Sequence, residues 1–325
     1  MLRSFGSTSF YMSSHREIIS RHRESLRGSL RYRLLKSTAL GIRKPYYVYE
    51  PPNLGSIDTA SLLILFRGHE REWVNVNEDG SRTRTSIEDI DLLISRGSLP
   101  PLVVVLPGLN STNNHVPSLG VNMVGDNPAQ YPGIGTGRFW DFLDSELLPR
   151  VVDDYPMLRG GLRMAAGFSL GGYTVSLLAA RRPGFLDHAA VYDGLFMWPD
   201  HVDRRQPQPK PFGDRVWLEN GIFDAAFGRP RSTKALAAWN PTDFFRDAVG
   251  DQLAALRKTR YWIAAAPSDG SAGNRDRARF LTALLRQKRC LLGFDQPIFH
   301  EDAEHTWHWA DRFLARFLLQ AIGSG

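Results

Sequence analysis

Short continuous apolar runs punctuate the chain, separated by segments long enough to hold a helix. Ser61-Leu62-Leu63-Ile64-Leu65-Phe66, Leu102-Val103-Val104-Val105-Leu106 and Tyr261-Trp262-Ile263-Ala264-Ala265-Ala266 show no alternation of polar and apolar positions. Runs of this kind suit strands covered on both faces, as in a mostly parallel sheet. Residues 162–166, 189–192 and 290–294 read the same way, and Tyr46-Tyr47-Val48-Tyr49 is an aromatic strand stopped by Pro51-Pro52. Between the runs the spacing turns helical, over 86–95, 139–152, 173–181, 251–257, 275–287 and 309–322. In the second of these, Phe139, Phe142, Leu143, Leu147, Val151 and Val152 share one side. Alternating strand and helix predicts an α/β fold, with a mostly parallel central sheet flanked by helices on both faces.

Two stretches stand outside that alternation. Residues 108–137 are rich in Gly, Asn and Pro and too long for a simple connection, which marks them as a substrate-lining loop. A Pro-rich insertion near 199–211 is placed beside the sheet, within one domain spanning 37–325.

Charge divides the chain differently. Residues 1–36 carry Arg3, Arg16, Arg21, Arg23, Arg27, Arg31, Arg33 and Lys36 against Glu17 and Glu24, an excess equal to the whole formal net charge of +6. The remainder is formally neutral, so the basic balance is not a nucleic-acid signature of the fold. Ser14-His15-Arg16-Glu17 fits a capping box and Gly28 a stop, predicting a helix within a basic N-terminal arm. A packing arm, an oligomer contact and an organelle presequence are the three readings of it. A single cysteine, Cys290, sits in an apolar run as a small core residue; with no disulfide framework the expected compartment is the cytoplasm. No run of about 18 apolar residues is present, so no membrane span is expected.

Candidate chemistry centres on Gly167-Phe168-Ser169-Leu170-Gly171-Gly172, set between a strand and a helix. Gly-x-Ser-x-Gly in that setting forms a nucleophile elbow, which lifts the serine hydroxyl above the sheet. A serine needs a base, and the base needs an orienting acid. His305 lies in the loop before the last helix, where the base belongs, with His300 and His308 as competitors. The spacing His300-Glu301-x-x-x-His305 is one residue too long for two imidazoles to share a metal on a helix, so no metal is expected. For the acid, Asp269 follows the 261–266 strand through Pro267-Ser268 and is the first choice. Asp276 in the next helix comes second, and Asp193, after the preceding strand, third. The oxyanion hole needs two backbone N–H groups. Leu170 should supply one, and Gly68 or His69, in the loop after the 61–66 strand, the other. Arg67 and Trp73 of the same loop are candidates for lining the substrate pocket.

These features resemble the esterase D-like branch of the α/β hydrolases, which includes feruloyl esterases, S-formylglutathione hydrolase, enterochelin esterases and mycolyltransferases. The likeness runs from about Tyr32 to the C-terminus, through Val48-Tyr49-Glu50-Pro51-Pro52, the Phe66 to Trp73 loop, the elbow, the Asp269 to Asn274 turn and His305-Thr306-Trp307. It implies the α/β-hydrolase fold and a triad of Ser169, Asp269 and His305. Asn274 matches an asparagine common in the family's turn, which favours Asp269 over Asp276. Relatives carry His-Gly after the early strand, whereas this chain carries Arg67-Gly68. The expected activity is hydrolysis of a small-molecule carboxylic ester through an acyl-enzyme, with no cofactor. Acyl transfer on the same triad, or a non-catalytic binding protein on this fold, are the alternatives; a homo-oligomer is compatible with either.

Overall fold

The computed structural model describes residues 14–112, 116–125, 128–194, 220–267 and 273–323. Its elements, in chain order, are α1 His15–Ser25, β1 Ser29–Lys36, β2 Arg43–Glu50, β3 Ser61–Phe66, α2 Ser86–Ser95, β4 Leu102–Pro107, α3 Phe139–Asp141, α4 Leu148–Asp154, β5 Arg163–Phe168, α5 Leu170–Arg181, β6 His188–Tyr192, α6 Asn220–Phe227, α7 Thr233–Trp239, α8 Pro241–Asp247, α9 Gly250–Leu256, β7 Arg260–Ala264, α10 Asn274–Gln287, β8 Leu291–Leu292 and α11 Trp307–Ile322. The strands form one eight-stranded sheet in the order β1-β2-β4-β3-β5-β6-β7-β8. β1 and β2 pair antiparallel with each other, and β2 with β4; every later pairing is parallel.

Because side chains alternate across a strand, each apolar run feeds two cores. Leu62, Ile64, Val103, Val105, Ala165, Val191 and Ile263 pack with residues of α3, α4, α5, α8 and α10 on one face. Leu63, Leu65, Leu102, Val104, Ala166, Ala190 and Trp262 pack with α1, α2 and α11 on the other. Burial on both faces is why these strands read as unbroken apolar runs. The predicted α/β architecture is therefore the observed one.

Three differences have local causes. The predicted 139–152 helix contains a π turn over Phe142–Leu147 between α3 and α4, where the Leu148 N–H reaches the Leu143 carbonyl five residues back. Pro149 follows at once; its ring cannot fit a regular α turn and it offers no N–H. The last helix starts at Trp307 rather than 309, for a reason given below. The third concerns the arm. Ser29–Lys36 pairs along its whole length with β2, so residues assigned to the arm form a strand of the sheet. This edge strand mixes Arg31, Arg33 and Lys36 with Leu30, Leu34 and Leu35, a pattern that hides strand character.

The arm helix is docked. Ser14 and Glu17 form the expected capping box of α1. Ile18 and His22 are buried, His22 Nε2 lies 3.0 Å from Thr85 Oγ1, and Arg21 pairs with Glu88 at 3.3 Å. His15 stacks on Tyr32 and bonds the Tyr47 hydroxyl at 2.5 Å; burial, helped by Arg71, pushes its pKa down to about 4. The 199–211 insertion lies outside the described residues.

Candidate active site

β5 ends in a turn that the backbone could not make without glycine. Ser169 has φ 55° and ψ −117°, a conformation that L-residues rarely adopt. A Cβ on Gly171 would fall 1.8 Å from the Phe66 carbonyl oxygen, and one on Gly167 would fall 2.3 Å from the Gly171 oxygen. The elbow is thus pressed against the end of β3 on one side. On the other, the Ser169 N–H donates to the Tyr192 carbonyl at 3.2 Å, tying the turn to β6. α5 starts at Leu170, whose N–H, as the first of the helix, has no intrahelical acceptor.

His305 lies just before α11, and its placement depends on a distant loop. Asp79 Oδ2 accepts the Trp307 N–H at 2.7 Å and Ser81 Oγ accepts the His308 N–H at 3.0 Å. These caps replace the missing side-chain cap of Thr306 and put a negative charge at the positive end of the helix dipole. They also start the helix two residues early. The Tyr192 hydroxyl holds the Glu304 carbonyl at 2.6 Å, and the His305 ring packs on Phe168 at 4.7 Å between centroids. The two competing imidazoles go elsewhere: His300 stacks on Trp309, and His308 meets the edge of the same ring.

The carboxylate that meets His305 belongs to Asp193, the third choice from sequence. Its Oδ2 is 2.5 Å from His305 Nδ1, and its Oδ1 accepts the Ala266 N–H at 3.1 Å. Asp193 follows β6 with φ 44°, is fully buried, and donates its own N–H to the Ala264 carbonyl at 2.8 Å. Behind it, Asn274 Nδ2 donates to the Asp193 carbonyl at 2.7 Å while its Oδ1 accepts from Arg277 at 2.7 Å. Burial pushes the Arg277 guanidinium down to about 9, against the opposing pull of the Asp193 charge. Asp276 is in the first turn of α10, 3.8 Å from Arg275, and is not the partner of His305. Asp269 lies outside the described residues.

The loop after β3 departs from expectation in three places. The His69 N–H is given to Glu72 Oε1 at 2.6 Å in a capping box, so it is committed within the loop. That leaves Gly68 as the remaining candidate of the two; a Cβ on it would lie 3.5 Å from Leu170 Cδ1, so the loop packs against the Leu170 side chain. Trp73 is 2 % exposed and packs edge-on against Trp307 at 4.9 Å, so it belongs to the core and not to a pocket wall. Arg67 is also drawn inward: its Nε is 3.0 Å from Glu72 Oε2 and its guanidinium lies over Phe168 at 4.8 Å. Burial raises Glu72 to about 7 despite the attraction of Arg67. His69 is held neutral, its pKa pushed well below 6.5 by burial and then by Arg71.

The long 108–137 loop is anchored by a residue that sequence reasoning passed over. Lys44 Nζ donates to the carbonyls of Asn110 and Gly133, the latter at 2.7 Å. Burial lowers this ammonium to about 8. A lysine inside an otherwise aromatic strand was the available signal. Among the described residues no group of three His, Cys, Asp or Glu side chains is placed to hold a metal. No helix there is long and apolar enough to cross a membrane.

A mostly parallel sheet in this strand order, with a strained serine after β5 and a histidine before the last helix, defines an α/β hydrolase. Residues 43–318 match the family model described as "Putative esterase", and the chain belongs to that family of esterases. No curated protein sequence matches it. Similar solved structures include a ferulic acid esterase, with TM-score 0.62 and 17% identity over 90% of this chain and 97% of that one. An S-formylglutathione hydrolase from Agrobacterium tumefaciens gives 0.61 and 14%, over 92% and 97%. MPT51 (FbpC1) of Mycobacterium tuberculosis gives 0.57 and 17%, over 90% and 99%. At these identities the likeness is one of fold.

Proposed function

We propose that the chain hydrolyses a small-molecule carboxylic ester with Ser169 as nucleophile, His305 as base and Asp193 as the orienting acid. The observation that carries this reading is the 2.5 Å contact between His305 Nδ1 and Asp193 Oδ2, made by a ring that packs on Phe168, the residue before a serine held at φ 55°. With Nδ1–H directed at the carboxylate, Nε2 is the basic nitrogen left to take the hydroxyl proton. Ser169 Oγ adds to the acyl carbonyl as its proton passes to His305 Nε2. Asp193, buried and already bonded by the Ala266 N–H, stabilises the imidazolium without taking its proton.

The negative oxygen of the tetrahedral adduct is received by the N–H groups of Leu170 and Gly68. The Leu170 group gains from its place at a helix N-terminus. Collapse expels the alcohol, which takes the proton from Nε2. Water then enters, gives a proton to His305 and its oxygen to the acyl carbon, and the second collapse releases the acid and returns the proton to Ser169.

Labelling by a fluorophosphonate probe tests the reading. Wild type should react at Ser169, and Ser169→Ala should lose both labelling and p-nitrophenyl ester turnover, the latter by about 10⁶-fold. Turnover that survives Ser169→Ala removes the proposal.

A further inference from the structure

The geometry points to Arg67 as a positioning residue that locks the oxyanion loop to the nucleophile elbow and to the histidine loop through one guanidinium. It lies over the ring of Phe168, the residue before Ser169, at 4.8 Å, and over Trp307, two residues after His305, at 5.7 Å. Its Nε is 3.0 Å from Glu72 Oε2, and the other oxygen of that carboxylate accepts the His69 N–H at 2.6 Å. Glu72 Oε1 is also the atom that a Cβ on Gly68 would meet, at 3.0 Å. Three segments distant in sequence, the ends of β3 and β5 and the start of α11, thus share one planar cation.

The surroundings close the unit. Trp307 receives a second guanidinium, that of Arg82, at 4.2 Å, and Phe168 carries the His305 ring at 4.7 Å. The Arg67 side chain is only 16% exposed. A guanidinium suits this place because its spread-out charge can lie over two aromatic rings and beside Glu72 at once; a compact ammonium does this less well. The consequence is that Arg67 sets the direction of the Gly68 N–H relative to the Ser169 hydroxyl and does not contact the acyl group. This gives Arg67 a function independent of substrate charge.

The inference rests on the Ser169 reading, so Ser169→Ala is run in parallel. Arg67→Ala should lower kcat by about 10- to 100-fold with KM changed less than about three-fold, because a misdirected oxyanion donor costs the transition state more than the bound ester. The same factor is expected for p-nitrophenyl acetate and for the anionic p-nitrophenyl monoester of succinic acid, and for the rate of phosphonylation by the probe. Arg67→Lys should fall between wild type and Arg67→Ala in kcat, and it decides the matter should the alanine variant not fold. Unchanged kcat in either soluble variant overturns the inference, as does a KM increase confined to the anionic ester, which makes Arg67 a substrate contact. If Ser169→Ala keeps its turnover, the triad reading fails first; an inactive Ser169→Ala beside a fully active Arg67→Ala fails this inference alone.

Discussion

Ser169 and Asp193 occupy equivalent places, each directly after a parallel strand and each with positive φ, 55° and 44°. They are held there by different kinds of information. The serine is fixed by six contiguous residues, whose glycines let the turn touch β3 as it passes into the first turn of α5. The aspartate is fixed by atoms from far along the chain: the backbone of Ala264 and Ala266, the side chain of Asn274 and the ring of His305. Nothing next to it except Gly194 distinguishes it from an ordinary turn residue. A site can therefore be half written in local sequence and half in strand register.

The sharpest way to break that comparison is to exchange the acids. Asp193→Asn should lower kcat for a p-nitrophenyl ester by about 10⁴-fold, as loss of the orienting carboxylate does in other triads. Asp269→Asn should cost less than about ten-fold. The reverse order, with Asp269→Asn the crippled variant, would return the role to the residue favoured by sequence.

The elbow offers the next largest effect, on stability. Gly171→Ala puts a Cβ 1.8 Å from the Phe66 carbonyl oxygen, a backbone atom that cannot swing aside. The strand and helix must separate, at roughly 3 kcal/mol or more. Urea unfolding of this variant should show the loss in its midpoint. An unchanged midpoint with wild-type activity would show that the close approach to β3 is not needed.

How much of this was legible follows the same division. The buried strands announced themselves as continuous apolar runs, and α2 was read to the residue from the helical spacing of 86–95, which Thr85 and Glu88 cap in the structure. β1 was missed because an edge strand with alternate basic residues looks like a charged arm. Ser169 and His305 were singled out by motif and chain order. Asp193 came third because the order of elements allows an acid after either β6 or β7, and only pairing across β6 and β7 shows which carboxylate reaches the ring. Asp79 and Ser81 gave no signal of their own, and Lys44 only that of a lysine in an aromatic strand; each acts on a segment more than sixty residues away.

Asn274 probes the assembled half more gently. Asn274→Ala removes the donor to the Asp193 carbonyl and an acceptor of the fully buried Arg277. Losing those bonds should cost about 1–3 kcal/mol of stability and lower kcat several-fold, through a looser Asp193, with KM little altered. A variant as active as wild type but less stable would separate the scaffold of Asp193 from its catalytic alignment.

The smallest effect concerns the oxyanion loop, and its sign follows from linkage. Burial raises the folded-state pKa of Glu72 from 4.5 to about 7, so between those values the folded chain holds a proton that the unfolded chain has released. Stability contributed by protonated Glu72 is therefore full below pH 4.5 and declines as pH rises to about 7, by at most about 1.4 kcal/mol per pH unit. Glu72→Gln keeps an oxygen for the His69 N–H but cannot ionise, so it lacks this slope. Thermal melts of the two proteins should draw level or favour wild type near pH 5 and shift toward the variant by pH 8. Buried carboxylates held in their charged form by partners, such as Glu50, change stability in the opposite direction, but they do so equally in both proteins and cancel in the difference. A Tm gap that stays constant from pH 5 to 8 would mean that the loop at rest carries an ordinary ionised glutamate beside Arg67. The elbow's neighbour would then be tuned by charge pairing alone and not by burial.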